Sequence, residues 1–237
     1  NIAANVLLAA GASPAMVSAE EEAGEFAGIA GAVTINIGTL WAGGVPGMRE
    51  AASAARAAGK PWVFDPVAHY ATSFRRDVTR QLMALKPTII RGNAPEMLAL
   101  AGEASRGQGV DSGDSATSAR EAALRLAREQ ACVVAVTGDV DFVTNGTRSV
   151  AIEGGSELMP RVTALGCALT CLVGAFAAVA PDRPFEATVA ALALFAVCGE
   201  EAGGRAEGPG SFSPLFLDTL AAIGPDRFDS IARVANL

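Results

Sequence analysis

Short runs of apolar, β-branched residues alternate with longer amphipathic or alanine-rich stretches along the first 150 residues. Ala32-Val33-Thr34-Ile35-Asn36-Ile37, Trp62-Val63-Phe64-Asp65, Thr88-Ile89-Ile90-Arg91 and Val133-Val134-Ala135-Val136-Thr137 read as buried strands. Helices are expected up to about Ala10, over Glu20 to Ala30, Met48 to Ala58 and Ser73 to Leu85, from Asn93, and over Ser115 to Glu129. Gly11-Ala12-Ser13-Pro14 closes the first helix with a glycine cap followed by proline. Asn145-Gly146, between two apolar runs, predicts a two-residue hairpin. The last third reads as helical over Ala168 to Ala180, Phe185 to Gly203 and Phe216 to Ile223, with Gly208-Pro209-Gly210-Ser211 as a separator. The Gly- and Ser-rich stretch Glu103 to Asp114 reads as a surface insert.

Strands alternating with helices require right-handed crossovers. The expected fold is therefore α/β: a mostly parallel central sheet with helices on both faces, one antiparallel hairpin and a helical C-terminal third. No repeat or long linker divides residues 1–237, so a single domain is expected.

Composition narrows the partners. Hydrophobic residues make up 51% and charged residues 18%, which is apolar enough to suggest that another subunit covers part of the surface. A net charge of −7 with no long basic run excludes nucleic acid as the main partner. No apolar run reaches the roughly 18–20 residues needed to cross a membrane. Four scattered cysteines without a C-x-x-C pair, and a single histidine, His69, argue against a zinc site or disulfide framework and for a cytoplasmic enzyme with reduced thiols. The opening Asn1-Ile2-Ala3-Ala4-Asn5 reads as starting inside a helix.

Ligands of open α/β sheets sit beyond the carboxyl ends of the strands. The residues there are Asn36 and Thr39, Asp65, Arg91 with Asn93 and Glu96, and Thr137 with Gly138 and Asp139. Asp65 and Glu96 could hold Mg²⁺ with substrate phosphates, and Arg91 could brace a phosphate. Plainer readings stand beside these: Asp65 before Pro66 is an ordinary turn residue, Asn93 with Glu96 is a helix capping box, and His69 is a surface or wall residue. Val162-Thr163-Ala164-Leu165-Gly166-Cys167-Ala168 leads into an apolar helix, whose N-terminus suits an anion and would favour the thiolate of Cys167. The P-loop and G-x-G-x-x-G fingerprints are absent.

Several motifs in order, Gly11-Ala12-Ser13-Pro14-Ala15-Met16, Ile35-Asn36-Ile37-Gly38-Thr39, Asp65-Pro66-Val67, Arg91-Gly92-Asn93, Thr137-Gly138, Gly166-Cys167-Ala168-Leu169-Thr170 and Gly208-Pro209-Gly210-Ser211-Phe212, resemble those of the hydroxyethylthiazole kinases. These thiamine-salvage enzymes belong to the ribokinase-like superfamily. The resemblance covers nearly the whole chain and lacks only the family's first turns before Asn1. It implies ATP-dependent phosphorylation of 4-methyl-5-(2-hydroxyethyl)thiazole with Mg²⁺, in a homotrimer whose active sites lie between subunits. It assigns Met16 and Ala164 to the thiazole, Arg91 and Thr137 to ATP, Asp65 and Glu96 to the metal, and Gly166 and Cys167 to catalysis at the helix start. Where the family commonly has Gly-Thr-Gly-Cys this chain has Ala164-Leu165-Gly166-Cys167, which makes the φ of Ala164 important and sets Leu165 as bulk near the phosphate path. A kinase of another small hydroxyalkyl heterocycle, pyrimidine or pyridoxal-like, and a non-catalytic thiazole- or nucleotide-binding relative are the alternatives.

Overall fold

A computed structural model describes residues 1–102 and 112–237, so the expected insert at Glu103 to Asp114 lies, up to residue 111, outside the described residues. The strands are β1 (Val33–Asn36), β2 (Trp62–Asp65), β3 (Ile89–Asn93), β4 (Val133–Thr137), β5 (Val140–Thr144), β6 (Ser149–Glu153) and β7 (Arg233–Asn236). The helices are α1 (Ile2–Ala9), α2 (Glu20–Ile29), α3 (Val45–Ala57), α4 (Ser73–Met83), α5 (Ala94–Leu100), α6 (Ser112–Gln130), α7 (Leu165–Val179), α8 (Pro184–Gly203), α9 (Pro209–Ala222) and α10 (Pro225–Ile231).

All seven strands form one sheet in sequence order, β1 to β4 parallel and β4 to β7 antiparallel. Parallel strands need a crossover between them, and α3 with α4, and α5 with α6, occupy those connections. The largest core cluster packs α7, α8 and α9 against Val63, Ile89, Ala135, Val143 and Ile152. Alternate strand residues point to the opposite face, where Ile35, Trp62 and Phe64 meet one group of apolar residues and Ile90, Val134 and Val136 another. The sheet thus has helices on both faces, as the sequence pattern requires.

Local chemistry explains the element ends. Gly11 adopts φ +80°, and the Gly11 and Ala12 N–H groups donate to the Leu8 and Leu7 carbonyls at 3.0 and 2.8 Å, the paired bonds of a glycine-terminated helix. Three expectations are corrected. The antiparallel region is larger than one hairpin, because the chain turns back directly after Thr137 and the C-terminal segment adds β7. The Asn145 turn has four residues rather than two, since Thr144 pairs with Ser149 and the Asn145 side chain accepts from the Thr147 and Arg148 N–H groups. Gly208-Pro209-Gly210-Ser211 starts a helix instead of separating two: Pro209 loses no helical bond in the first turn, and Ser211 Oγ accepts from the Gly208 N–H at 3.3 Å.

Candidate active site

The parallel register brings the polar strand ends side by side. Asn36 lies opposite Asp65, and Asn93 opposite Thr137. Asp65 is fully buried, and its Oδ2 accepts from Asn36 Nδ2 at 2.7 Å and from Thr170 Oγ1 at 2.8 Å. Arg91 Nη1 lies 3.8 Å from the same oxygen, while Arg91 Nη2 donates to Thr137 Oγ1 at 2.6 Å. Asp65 Oδ1 and Arg91 Nε are buried with no hydrogen-bond partner among the described residues. Burial raises the Asp65 carboxyl above its ordinary range, against the lowering effect of Arg91 and Thr170.

Glu96 is engaged differently. Its Oε2 accepts from the Asn93 N–H at 2.8 Å and its Oε1 from the Ala68 N–H at 3.0 Å, while Asn93 Oδ1 accepts from the Glu96 N–H at 2.9 Å. The capping box read from the sequence is therefore present. Glu96 also bears on the site electrostatically, since its charge raises both Asp65 and Cys167.

Helix α7 begins at Leu165, so Gly166 and Cys167 lie in its first turn rather than before it. The Leu165 N–H bonds back to the Val162 carbonyl at 3.3 Å, and Ala168 makes the next bond, to the Ala164 carbonyl at 3.0 Å. The Gly166 and Cys167 N–H groups between them are the donors that a helix start leaves for a ligand. A Cβ on Gly166 would come within 3.1 Å of both Arg91 terminal nitrogens, so the guanidinium rests against this turn because residue 166 has no side chain. Positive charge and free amides converge at one place.

Ala164 caps this helix at φ 60°, ψ 11°, in the left-handed region that costs a non-glycine residue about 1–2 kcal/mol. Leu165, expected as bulk near the phosphate path, is instead 2% exposed and packed in the main core, where its side chain offsets that strain by burial. Against the thiolate that the helix end would favour, burial and the Asp65 charge push the Cys167 thiol up. Of the two readings of His69, surface or wall residue, burial removes the first, and its Nε2 lies 3.0 Å from the Glu96 carbonyl oxygen. Met16 stays 79% exposed, so one copy of the chain encloses no pocket around it.

Sequence reasoning gave no role to Thr170, Asp141 or Arg75. Asp141 Oδ1 accepts from the Gly138 N–H at 3.0 Å and fixes the turn after Thr137. Arg75 Nη1 donates to the carbonyls of Ile37 and Val67 at 2.7 and 2.9 Å, and Nη2 to that of Gly38 at 2.9 Å, tying together the loops after β1 and β2. Nothing in the spacing of α4 marks Arg75. Asp141 was within reach, since a carboxylate three residues after Gly138 is a turn signal.

Among the described residues no cluster of three or more His, Cys, Asp or Glu could by itself hold a metal. No helix among them is long and apolar enough to cross a membrane. The sheet with helices on both faces and a helical C-terminal region is a ribokinase-like fold. A Staphylococcus aureus pyridoxal kinase solved with ADP superposes with TM-score 0.62 at 14% identity, covering 100% of this chain and 92% of that one, which speaks for the fold alone. The chain belongs to the hydroxyethylthiazole kinase family, which matches residues 1–226. The hydroxyethylthiazole kinase of Rhizobium rhizogenes is 68% identical over 237 residues, 100% of this chain and 88% of that protein. The hydroxyethylthiazole kinase structure from Pyrococcus horikoshii superposes with TM-score 0.91 at 40% identity, covering 100% of this chain and 89% of that one.

Proposed function

We propose that this protein transfers the γ-phosphate of ATP to the hydroxyl of 4-methyl-5-(2-hydroxyethyl)thiazole in thiamine salvage, as a cytoplasmic homotrimer of single-domain subunits. The observation that carries the reading is the convergence of the Arg91 guanidinium with the free Gly166 and Cys167 amides, in a chain of this family. Such preorganised donors, aimed at a transferring phosphoryl group, are worth roughly 10²–10³ in turnover each.

Arg91 and Thr137 take the ATP phosphates, and the first turn of α7 binds the phosphoryl charge that develops in flight. Cys167 stands beside the substrate hydroxyl as a neutral thiol. Proton loss from that hydroxyl comes late when the transition state is loose, so it needs little help from a base. Mg²⁺ suits the residues present because it is held mainly by phosphates and waters: Asp65 offers an unpartnered oxygen, and Glu96 offers the lone pairs its backbone bonds leave over. When bound, the ion neutralises phosphate charge. Met16 and Ala164 face the thiazole; both are exposed in one subunit, as are Leu8, Ile29 and Val179, which supports a pocket closed by a second copy.

An ADP-release assay with ATP, Mg²⁺ and hydroxyethylthiazole tests the reading, with pyridoxal and a hydroxymethylpyrimidine as competing alcohols. Turnover fastest with the thiazole, and at least about a hundredfold lower in Arg91→Ala, is the expected result. Faster turnover of another alcohol, or thiazole binding without ADP release, overturns it.

A further inference from the structure

Threonines inside helices ordinarily return the hydroxyl to a carbonyl one turn back. Two buried threonines here do so: Thr188 Oγ1 donates to the Pro184 carbonyl and Thr219 Oγ1 to the Leu215 carbonyl, both at 2.7 Å. Thr170, also fully buried, does not. Its hydroxyl leaves the helix and donates to Asp65 Oδ2 at 2.8 Å.

Thr170 lies four residues after Gly166 and therefore on the same face of α7, with its side chain leaning towards the first turn. This bond joins α7 to the end of β2, while the longer Cys171 Sγ to Thr34 Oγ1 contact, at 3.6 Å, and a side-chain hydrogen bond between Cys167 and Asn36 join it to β1. The carboxylate it holds is also gripped by Asn36 and approached by Arg91, which in turn rests on Gly166. A closed loop of contacts runs from the helix start through Thr170, Asp65 and Arg91 back to the helix start.

We propose that Thr170 is a positioning residue for phosphoryl transfer: its hydroxyl fixes the α7 first turn against Asp65 and Arg91, so that the Gly166 and Cys167 amides meet the phosphoryl group. The inference rests on the kinase reading above. An isosteric T170V keeps the shape and removes the donor, whereas T170S keeps the donor. Misplacing reacting groups by about 1 Å costs on the order of a hundredfold in rate. The expected result is a kcat about ten- to a hundredfold lower in T170V, KM for both substrates within about threefold, and near-normal kcat in T170S.

Amide hydrogen exchange supplies a readout independent of turnover. Exchange at Leu165 and Ala168, the amides that carry the hydrogen bonds of the first turn, rises about tenfold or more in T170V relative to the core amides of α8. T170A, the second hydroxyl-free variant, serves if T170V does not fold. Normal kcat in a folded hydroxyl-free variant, equal losses in T170S and T170V, or unchanged exchange at the first turn overturns the inference and leaves the kinase reading standing. A wild-type protein that releases no ADP sinks both.

Discussion

Asp65 at the end of β2 and Glu96 at the start of α5 differ in what their oxygens do. Glu96 gives each oxygen to a backbone N–H and so closes a capping box. Asp65 puts two side-chain donors on one oxygen and leaves the other buried and bare. A carboxylate satisfied by backbone amides is held for the fold. Asp65 keeps an oxygen unpaired inside the protein, burial pushes its carboxyl up, and that oxygen calls for an explanation that the fold does not supply.

The sharpest way to break the comparison is Asp65→Ala. It strips the acceptor from Asn36, Thr170 and the largely buried Arg91, and breaking a buried charged pair this way costs about 3–5 kcal/mol. Urea unfolding of this variant should show that loss, and ADP release should fall to background. A variant as stable as wild type would mean that the network around Asp65 contributes no cohesion.

Asp141 lies between the two cases, with one oxygen bonded to the Gly138 N–H and a carboxyl pushed up to about 6 by burial. The sign follows from linkage: a raised folded-state pKa means that the native state holds the extra proton, so the group supports stability below about pH 4 and that support is lost as pH rises to about 6. Two pKa units set an upper bound of about 3 kcal/mol. Asp141→Asn keeps an acceptor for Gly138 and removes the titration. Its stability should fall less than that of wild type between pH 4 and 6.5, as measured by denaturant melts across that range. Equal slopes would show that Asp141 is better solvated than its surroundings imply.

The same contrast explains what could be read in the sequence. Side-chain types at strand ends were legible, because β-branched runs mark the strands and a parallel sheet aligns their carboxyl ends; Asp65, Arg91 and Thr137 do meet there. The capping box was legible because Asn93 and Glu96 make it locally. What depends on direction was not. Leu165 could turn to the phosphate or to the core, and only the backbone φ of Ala164 decides. Cys167 sits in a helix-end field that favours a thiolate, yet burial and Asp65, 102 residues earlier in the chain, act in the opposite direction. The four-residue turn after Thr144 was missed because Asn145 spends its side chain capping the turn rather than taking up the two-residue geometry.

The smallest effect tests the other side of the comparison. Glu96→Gln retains one acceptor oxygen but turns an amide donor towards either the Asn93 or the Ala68 N–H, so part of the cap is lost at a cost of about 1 kcal/mol. If Glu96 also serves Mg²⁺ through water, removing its charge weakens that hold, and the half-saturating Mg²⁺ concentration in the ADP-release assay should rise several-fold, short of the tenfold that about 1.4 kcal/mol would give. The two readouts separate the roles: lower stability with an unchanged Mg²⁺ requirement would reduce Glu96 to a helix cap and leave Asp65 as the one carboxylate of the pair that faces the reaction.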